Sequence, residues 1–223
     1  MKNLAIAFCS FRPEQYSEEL YSYRENEYLN CLTQLKRVLP KSYDLIIVNN
    51  TEPPKNPQLK SIDLFQVEGN LGTRNLGVGE VDMLNQVLDR VDISNYDHIS
   101  WTTGRKLFTC PYVFEKTEHL KKDALISNPD FLYFDGTLEE TAKNNLYNDM
   151  FFSMKTPMMI KYKEYSQSRI DLLLSNGIGS EQNLYSFIKE NGVSYEWLDF
   201  LGIIRNDWRR DGNPLNISNF QIV

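Results

Sequence analysis

Between residues 69 and 79 the chain reads Gly-Asn-Leu-Gly-Thr-Arg-Asn-Leu-Gly-Val-Gly, with Asn70, Arg74 and Asn75 set among the glycines. Backbone N–H groups at a helix start, helped by a guanidinium, are the groups that grip an anion. The spacing fits neither G-x-G-x-x-G nor G-x-x-x-x-G-K, so the two common nucleotide-loop motifs are set aside. What is left is a turn that either meets a ligand or needs small residues for close packing. A second polar turn, Thr102-Thr103-Gly104-Arg105-Lys106, carries two adjacent cations, either an anion grip or a solvated pair. A third basic cluster, Arg205, Arg209 and Arg210, has Asp207 and Asp211 beside it as partners. His98 and His119 stand 21 positions apart, and Cys9, Cys31 and Cys110 form no C-x-x-C pair, so neither a metal site nor a disulfide framework is suggested. Tyr195, Trp197 and Trp208 either stack on a flat ring or pack in the core.

The elements that must position these residues alternate through the first half. Residues 4–9 are a continuous apolar run stopped by Ser10-Phe11-Arg12-Pro13, which predicts a buried strand ending at a turn. Tyr28, Leu32, Leu35 and Leu39 recur at helical spacing over 17–39, and Pro40 closes the segment. A second strand over 43–48 ends in Asn49-Asn50-Thr51, and a third over 62–67 leads into the glycine-rich turn. Val81, Leu84, Leu88 and Val91 predict a helix to residue 91, and 96–101 a fourth strand that runs into Arg105. Such alternation argues for an α/β fold with a mainly parallel sheet, flanking helices and a ligand site beyond the strands' carboxyl ends. The second half is less regular: a short helix over 115–122, strands over 131–134 and 150–154, a helix over 162–175 ended by Asn176-Gly177, a helix capped by Ser180, and one apolar segment over 195–204.

The chain's 223 residues suit a single α/β domain, with 1–110 as one half and 111–223 as the other half and tail. With 24 basic against 30 acidic residues the formal charge is −6, which lacks the positive field of a nucleic-acid binder. An anionic ligand must therefore be held locally. The scattered thiols suggest a reducing compartment, and the apolar run near the start is shorter than a signal-peptide core or a membrane span. These features predict a cytoplasmic protein.

Four items in order carry a resemblance: Phe11-Arg12-Pro13 after a strand, a strand ending in Asn49-Asn50-Thr51, Gly-Asn-Leu-Gly-Thr-Arg-Asn at 69–75, and a following helix. Together they resemble the nucleotide half of GT-A glycosyltransferases, over roughly residues 4–110. The resemblance implies a nucleotide-sugar donor, with Phe11, Arg12, Asn49, Asn50, Thr51, Asn70, Arg74 and Asn75 near the base and ribose. Many such enzymes carry a metal-binding DxD at the end of the next strand. Here Thr103, Gly104, Arg105 and Lys106 stand instead, which resembles bacterial surface-polysaccharide transferases that lack DxD. A guanidinium neutralises charge on a leaving diphosphate as a metal would, so the resemblance implies activity without a metal or other cofactor. Arg209 in the tail would complete the clamp. An acceptor-side base is implied among Asp135, Asp149 and Glu181, with Asp149 and Glu181 best placed, while Glu181 alternatively serves as a favourable charge in a first helical turn.

The sequence reading is thus a glycosyltransferase acting on a glycan or glycolipid acceptor in bacterial surface polysaccharide or lipopolysaccharide assembly. Its partners are a sugar nucleotide and that acceptor, with no nucleic acid and at most peripheral contact with the inner face of the membrane. Two rivals remain: a nucleotidyltransferase that makes activated sugars, and an inactive module of the same fold that binds carbohydrate or protein.

Overall fold

The computed structural model describes residues 2–14, 16–128, 148–206 and 220–222. For 148, 149, 205, 206 and 220–222 the description covers the backbone alone. Strand β1 (Asn3–Cys9) is buried at every residue, as the unbroken apolar run requires of a strand with neighbours on both edges. It pairs in parallel with β2 (Tyr43–Asn49) on one side and β4 (His98–Thr103) on the other, the registers running Asn3↔Tyr43 to Cys9↔Asn49 and Asn3↔His98 to Phe8↔Thr103. All three strands therefore end level. Their polar turns meet at one edge of the sheet.

Strand β3 (Leu64–Gln66) extends the sheet beyond β2. On the other side β7 (Asn148–Lys155) runs antiparallel to both β4 and β6 (Ala124–Ser127), and β8 (Tyr195–Leu198) lies parallel to β6. The order is β3-β2-β1-β4-β7-β6-β8, with β7 alone reversed, so the sheet is mainly parallel as the alternation predicts. Side chains of β1 alternate between faces. Ala5, Ala7 and Cys9 pack with helix α1 (Glu18–Val38) and α4 (Tyr112–Glu118). Leu4, Ile6 and Phe8 pack on the opposite face with α3 (Leu76–Arg90), α5 (Thr156–Gln167) and α7 (Ser180–Glu190). A short α2 (Pro57–Lys60) fills the loop before β3, and α6 (Ile170–Asn176) joins α5 to α7. Helix α1 follows its sequence signals closely: Ser17 accepts the Leu20 amide, Glu18 and Glu19 open the first turn, and Lys36 and Arg37 close the last, each sign complementing the helix dipole.

Three expectations from the second half are corrected. The helix over 162–175 is two helices, starting earlier at Thr156–Pro157 and broken at Ser168–Arg169, where the Ser168 hydroxyl donates to the Tyr165 carbonyl at 2.8 Å and Arg169 stacks on the Tyr165 ring. Ser180 is not an N-cap. Gly179 takes that place, and Ser180 is the first helical residue. The apolar segment over 195–204 is two strands in different sheets, because Gly202 at φ 64° turns the chain and its carbonyl accepts the Thr109 amide and hydroxyl at 2.7 and 2.9 Å. Beyond that turn β9 (Ile203–Asn206) pairs with β5 (Leu107–Phe108) and β10 (Phe220–Ile222), a small second sheet that the periodicity did not announce. The expected helix at 115–122 lies at Tyr112–Glu118. The strand expected over 131–134 lies outside the described residues. No helix among the described residues is long and apolar enough to cross a membrane.

Candidate functional site

Chain order reverses at β1, whose neighbours are β2 and, after two crossovers, β4. In an open parallel sheet the crevice for a ligand lies at such a switch point, beyond the carboxyl ends. A cavity of about 310 Å³ opens there.

The floor is polar and cross-linked. Ser10 donates through its hydroxyl to Asn50 Oδ1 at 2.6 Å, and Asn50 Nδ2 donates to Asn70 Oδ1 at 3.0 Å, joining the ends of β1, β2 and the glycine-rich turn. Thr51 also lines the cavity while its hydroxyl accepts the Arg12 amide at 3.0 Å. The cationic wall comes from Arg24 of α1 and from Arg105 and Lys106 after β4. Arg24 is fixed by Nε donating to the Ser10 carbonyl at 2.6 Å and NH2 to the Tyr28 hydroxyl at 3.3 Å. Burial lowers its pKa below the ordinary value, and the like charge of Arg105 pushes the same way.

Arg105 is held differently. Its side chain is 23% exposed, NH1 stands 3.8 Å from Glu27 Oε2, and the guanidinium donates no hydrogen bond to any described residue. Burial would lower its pKa, but the attraction of Tyr28, Glu27 and Tyr16 outweighs that and leaves it above the ordinary value. Gly104 lets this turn lie against β1 and α1, since a Cβ there would stand 2.5 Å from Cys9 Sγ. Thr103 lines the cavity as well, and Gly104 itself does not.

The opposite wall is acidic. Glu80 of α3 and Glu181 of α7 line it, with Ser180 between them. The glycines explain how two helix starts come so close. A Cβ on Gly77 would stand 2.4 Å from Ser180 N, and one on Gly79 2.5 Å from Gly72 Cα. Close packing is what the residues at 72–79 supply.

Several residues expected at the ligand turn out to hold the scaffold. Arg12 is 6% exposed; its guanidinium donates to Glu25 at 3.0 Å and Glu18 at 2.6 Å and stacks 4.2 Å over the Tyr21 ring, away from the cavity. Phe11 is fully buried against Tyr28. The fully buried Asn49 side chain accepts from the Phe11 amide and the Thr51 hydroxyl and donates to Thr51 O and Gln66 Oε1, so it ties the turns together. Asn75 caps α3 through the Val78 amide and reaches the Ile178 carbonyl at 3.2 Å. Arg74 is exposed at the end of a 3-10 turn (Leu71–Thr73) and does not line the cavity. These five were polar or aromatic residues at the right turns, but backbone groups or core neighbours claim four of them, and the fifth faces solvent. Asp135, Trp208, Arg209 and Arg210 lie outside the described residues; of Asp149, on β7, and Arg205, on β9, only the backbone is described.

With the geometry stated, the likenesses can be placed. No protein-family profile matches the sequence, and neither does any curated protein. Among solved structures, one similar chain is a protein from Desulfovibrio desulfuricans G20 classed as a nucleotide-diphospho-sugar transferase, at TM-score 0.54 and 13% identity, over 89% of this chain and 80% of that one. Another is 4-diphosphocytidyl-2C-methyl-D-erythritol synthase from Anaerococcus prevotii, at TM-score 0.52 and 15% identity, over 88% of both chains. The fold is that of the nucleotide-sugar transferases. It is a GT-A-like fold, and at these identities the likeness speaks for the fold alone.

Sequence reasoning missed Ser10, Tyr16, Arg24, Tyr28 and Glu80 as cavity residues. A signal for Arg24 existed: it lies on the buried stripe of α1 with Tyr21, Tyr28, Leu32 and Leu35, and a charge on an apolar stripe needs a partner or a function. Among the described residues no group of three or more His, Cys, Asp or Glu side chains is placed to hold a metal ion. The end of β4, where a DxD would stand, presents a guanidinium and an ammonium, which do not fit a divalent cation.

Proposed function

We propose that this protein transfers a sugar from a nucleotide-sugar donor to a glycan or glycolipid acceptor, without a divalent metal at the end of β4. The observation that carries the reading is Arg105, a mostly buried guanidinium that borders the cavity, stands 3.8 Å from Glu27 Oε2 and donates no hydrogen bond to a described residue, so that its donors remain available. Such a group calls for an anion of matching geometry, and a diphosphate supplies it. Arg24 and Lys106 stand on the same wall, while Asn50, Thr51 and Asn70 on the floor offer hydrogen bonds to a base or ribose.

The chemistry asked of these residues is a displacement at the anomeric carbon. The acceptor oxygen forms the new bond as the bond to the diphosphate breaks, its electron pair leaving with the nucleoside diphosphate. Arg105, Arg24 and Lys106 neutralise that charge. The acceptor's proton passes to a carboxylate, Glu181 on the acidic wall or Asp149 on β7. Assembly of bacterial surface polysaccharide or lipopolysaccharide at the inner face of the membrane is the setting we assign to it.

Thermal shift with UDP-, GDP-, dTDP- and CMP-sugars tests the donor, since a ligand at 100 times its Kd stabilises the fold by about 2.7 kcal/mol. A shift with one donor that is lost in Arg105→Ala, and transfer rates equal in excess chelator and in Mg²⁺ or Mn²⁺, are expected. No shift with any donor refutes the reading, and strict metal dependence refutes its metal-free part. A second reading, nucleotidyl transfer to a sugar phosphate, is favoured by the likeness to the Anaerococcus synthase over 88% of both chains. Release of pyrophosphate from a nucleoside triphosphate and a sugar phosphate decides for it.

A further inference from the structure

Resting on that reading, we propose that Glu27, behind the cationic wall, is a positioning residue that tunes the wall to a nucleotide sugar over the free nucleoside diphosphate, so that the product does not outcompete the donor. Glu27 lies on α1, one helical turn after Arg24, and does not itself line the cavity. Its side chain is 11% exposed, and its Oε2 stands 3.8 Å from Arg105 NH1. That oxygen is buried and accepts no hydrogen bond from any described residue. The carboxylate's charge acts favourably on both guanidinium groups of the wall, Arg105 and Arg24. One carboxylate thus backs two arginines.

A pair that served only to hold the fold would close. Glu25, on the same helix, closes on Arg12 with 3.0 Å between NH1 and Oε1, and it also accepts the Lys55 and Asn56 amides. Between Arg105 and Glu27 no hydrogen bond forms, so two desolvated charges are left with only part of their mutual attraction. The turn itself is fixed from behind, since a Cβ on Gly104 would stand 2.5 Å from Cys9 Sγ and 3.2 Å from the Tyr28 ring. Arg105 therefore keeps its donors for the cavity in front, with the field of Glu27 at its back. An anion seated on Arg105 and Arg24 meets Glu27 as a like charge one guanidinium away, and the repulsion grows with the anion's charge. A nucleotide sugar carries one charge on each phosphate. The free diphosphate ends in a monoester whose second pKa is about 6, so at neutral pH it carries a further charge. Glu27 weakens the product's binding more than the donor's.

Calorimetric titration with UDP, GDP, CDP and dTDP at about pH 7.5, above the second phosphate pKa, first identifies the base. That diphosphate is then compared, in the wild type and in Glu27→Gln, with the tightest-binding of its glucose, galactose and N-acetylglucosamine derivatives. We expect both ligands to bind Glu27→Gln more tightly than the wild type, and the free diphosphate to gain at least about threefold more than the sugar derivative. A smaller difference overturns the inference, as does a loss of affinity for either ligand, which is what a residue needed only to shape the turn would give. Should Glu27→Gln fail to fold by circular dichroism, Glu27→Met, of similar length and without charge, replaces it under the same criteria. Binding of no diphosphate, or of none of its sugar derivatives, by the wild type overturns the proposed function itself. Binding of both that the substitution leaves unmoved overturns this inference alone.

Discussion

The Arg12–Glu25 pair separates scaffold from site, and its removal has a calculable cost. Both side chains are nearly buried, at 5% and 4% exposure, with NH1 3.0 Å from Oε1. Glu25 also accepts the Lys55 amide at 3.0 Å and the Asn56 amide at 2.7 Å, so it anchors the loop before α2 as well as the turn after β1. In Glu25→Ala the buried guanidinium keeps Glu18, 70% exposed, and Glu52 at 3.9 Å, 81% exposed, neither of which replaces a desolvated carboxylate. Breaking a buried pair on one side costs about 3–5 kcal/mol because an uncompensated charge is left behind. At about 2–4 °C per kcal/mol for a chain of this size, the melting temperature should fall by roughly 6–20 °C. Urea titration gives the free energy and differential scanning fluorimetry the temperature. The double change Arg12→Met with Glu25→Leu should recover much of the loss, since apolar residues of similar volume leave no charge to desolvate. A loss below about 1 kcal/mol in Glu25→Ala refutes the reasoning. So does Arg12→Ala if it weakens nucleoside diphosphate binding as much as Arg105→Ala while stability is unchanged, because Arg12 would then face the ligand.

Three further outcomes are expected. Gly77→Ala should destabilise by about 1–3 kcal/mol despite alanine's better helix propensity, because the new Cβ meets backbone that cannot yield cheaply; a rise in melting temperature would contradict the packing of α3 against α7. Burial lowers the pKa of His98, so folding keeps the ring neutral while the unfolded chain takes a proton below about pH 6.5; the unfolded state then binds more protons, and stability should drop from pH 7 to pH 5 more steeply than in His98→Gln. Identical slopes in the two proteins would contradict it. Burial raises the thiol pKa of Cys9 and pushes that of Cys31 to about 12, whereas Cys110 is half-buried. A thiol reagent should therefore titrate one cysteine in the native protein and three in denaturant.

Much of the first half was legible because local signals and tertiary structure agree there. The run at 4–9 has no polar face, so it can only be a central strand, and Ser17, the acidic first turn and Pro40 bound α1 by backbone chemistry that needs no distant partner. In the second half the deciding contacts are remote. Arg169, at the break between two helices, pairs with Glu190, 21 residues on, and Gly202 sends β9 to a different sheet through Thr109. Neither partner is visible at helical or strand spacing.

The candidate site divides along the same line. Residue type and position after a strand were enough to place Asn50, Thr51, Asn70, Thr103, Arg105 and Lys106 around the cavity, and Glu181, read at a helix start, lines it too. They were not enough to tell these from Arg12, Asn49 and Asn75, which occupy equivalent turns and spend their polar atoms on Glu25, Gln66 and Ile178. A polar side chain at a strand's end faces two demands, the unpaired backbone groups of the turn and the ligand beyond it, and composition is the same for both. The sequence by itself determined an α/β chain with a mainly parallel sheet and a crevice at one edge. Only the tertiary structure decided which side chains are left over for that crevice, because the partners that claim the others, Glu25, Gln66 and Ile178, lie 13, 17 and 103 residues away.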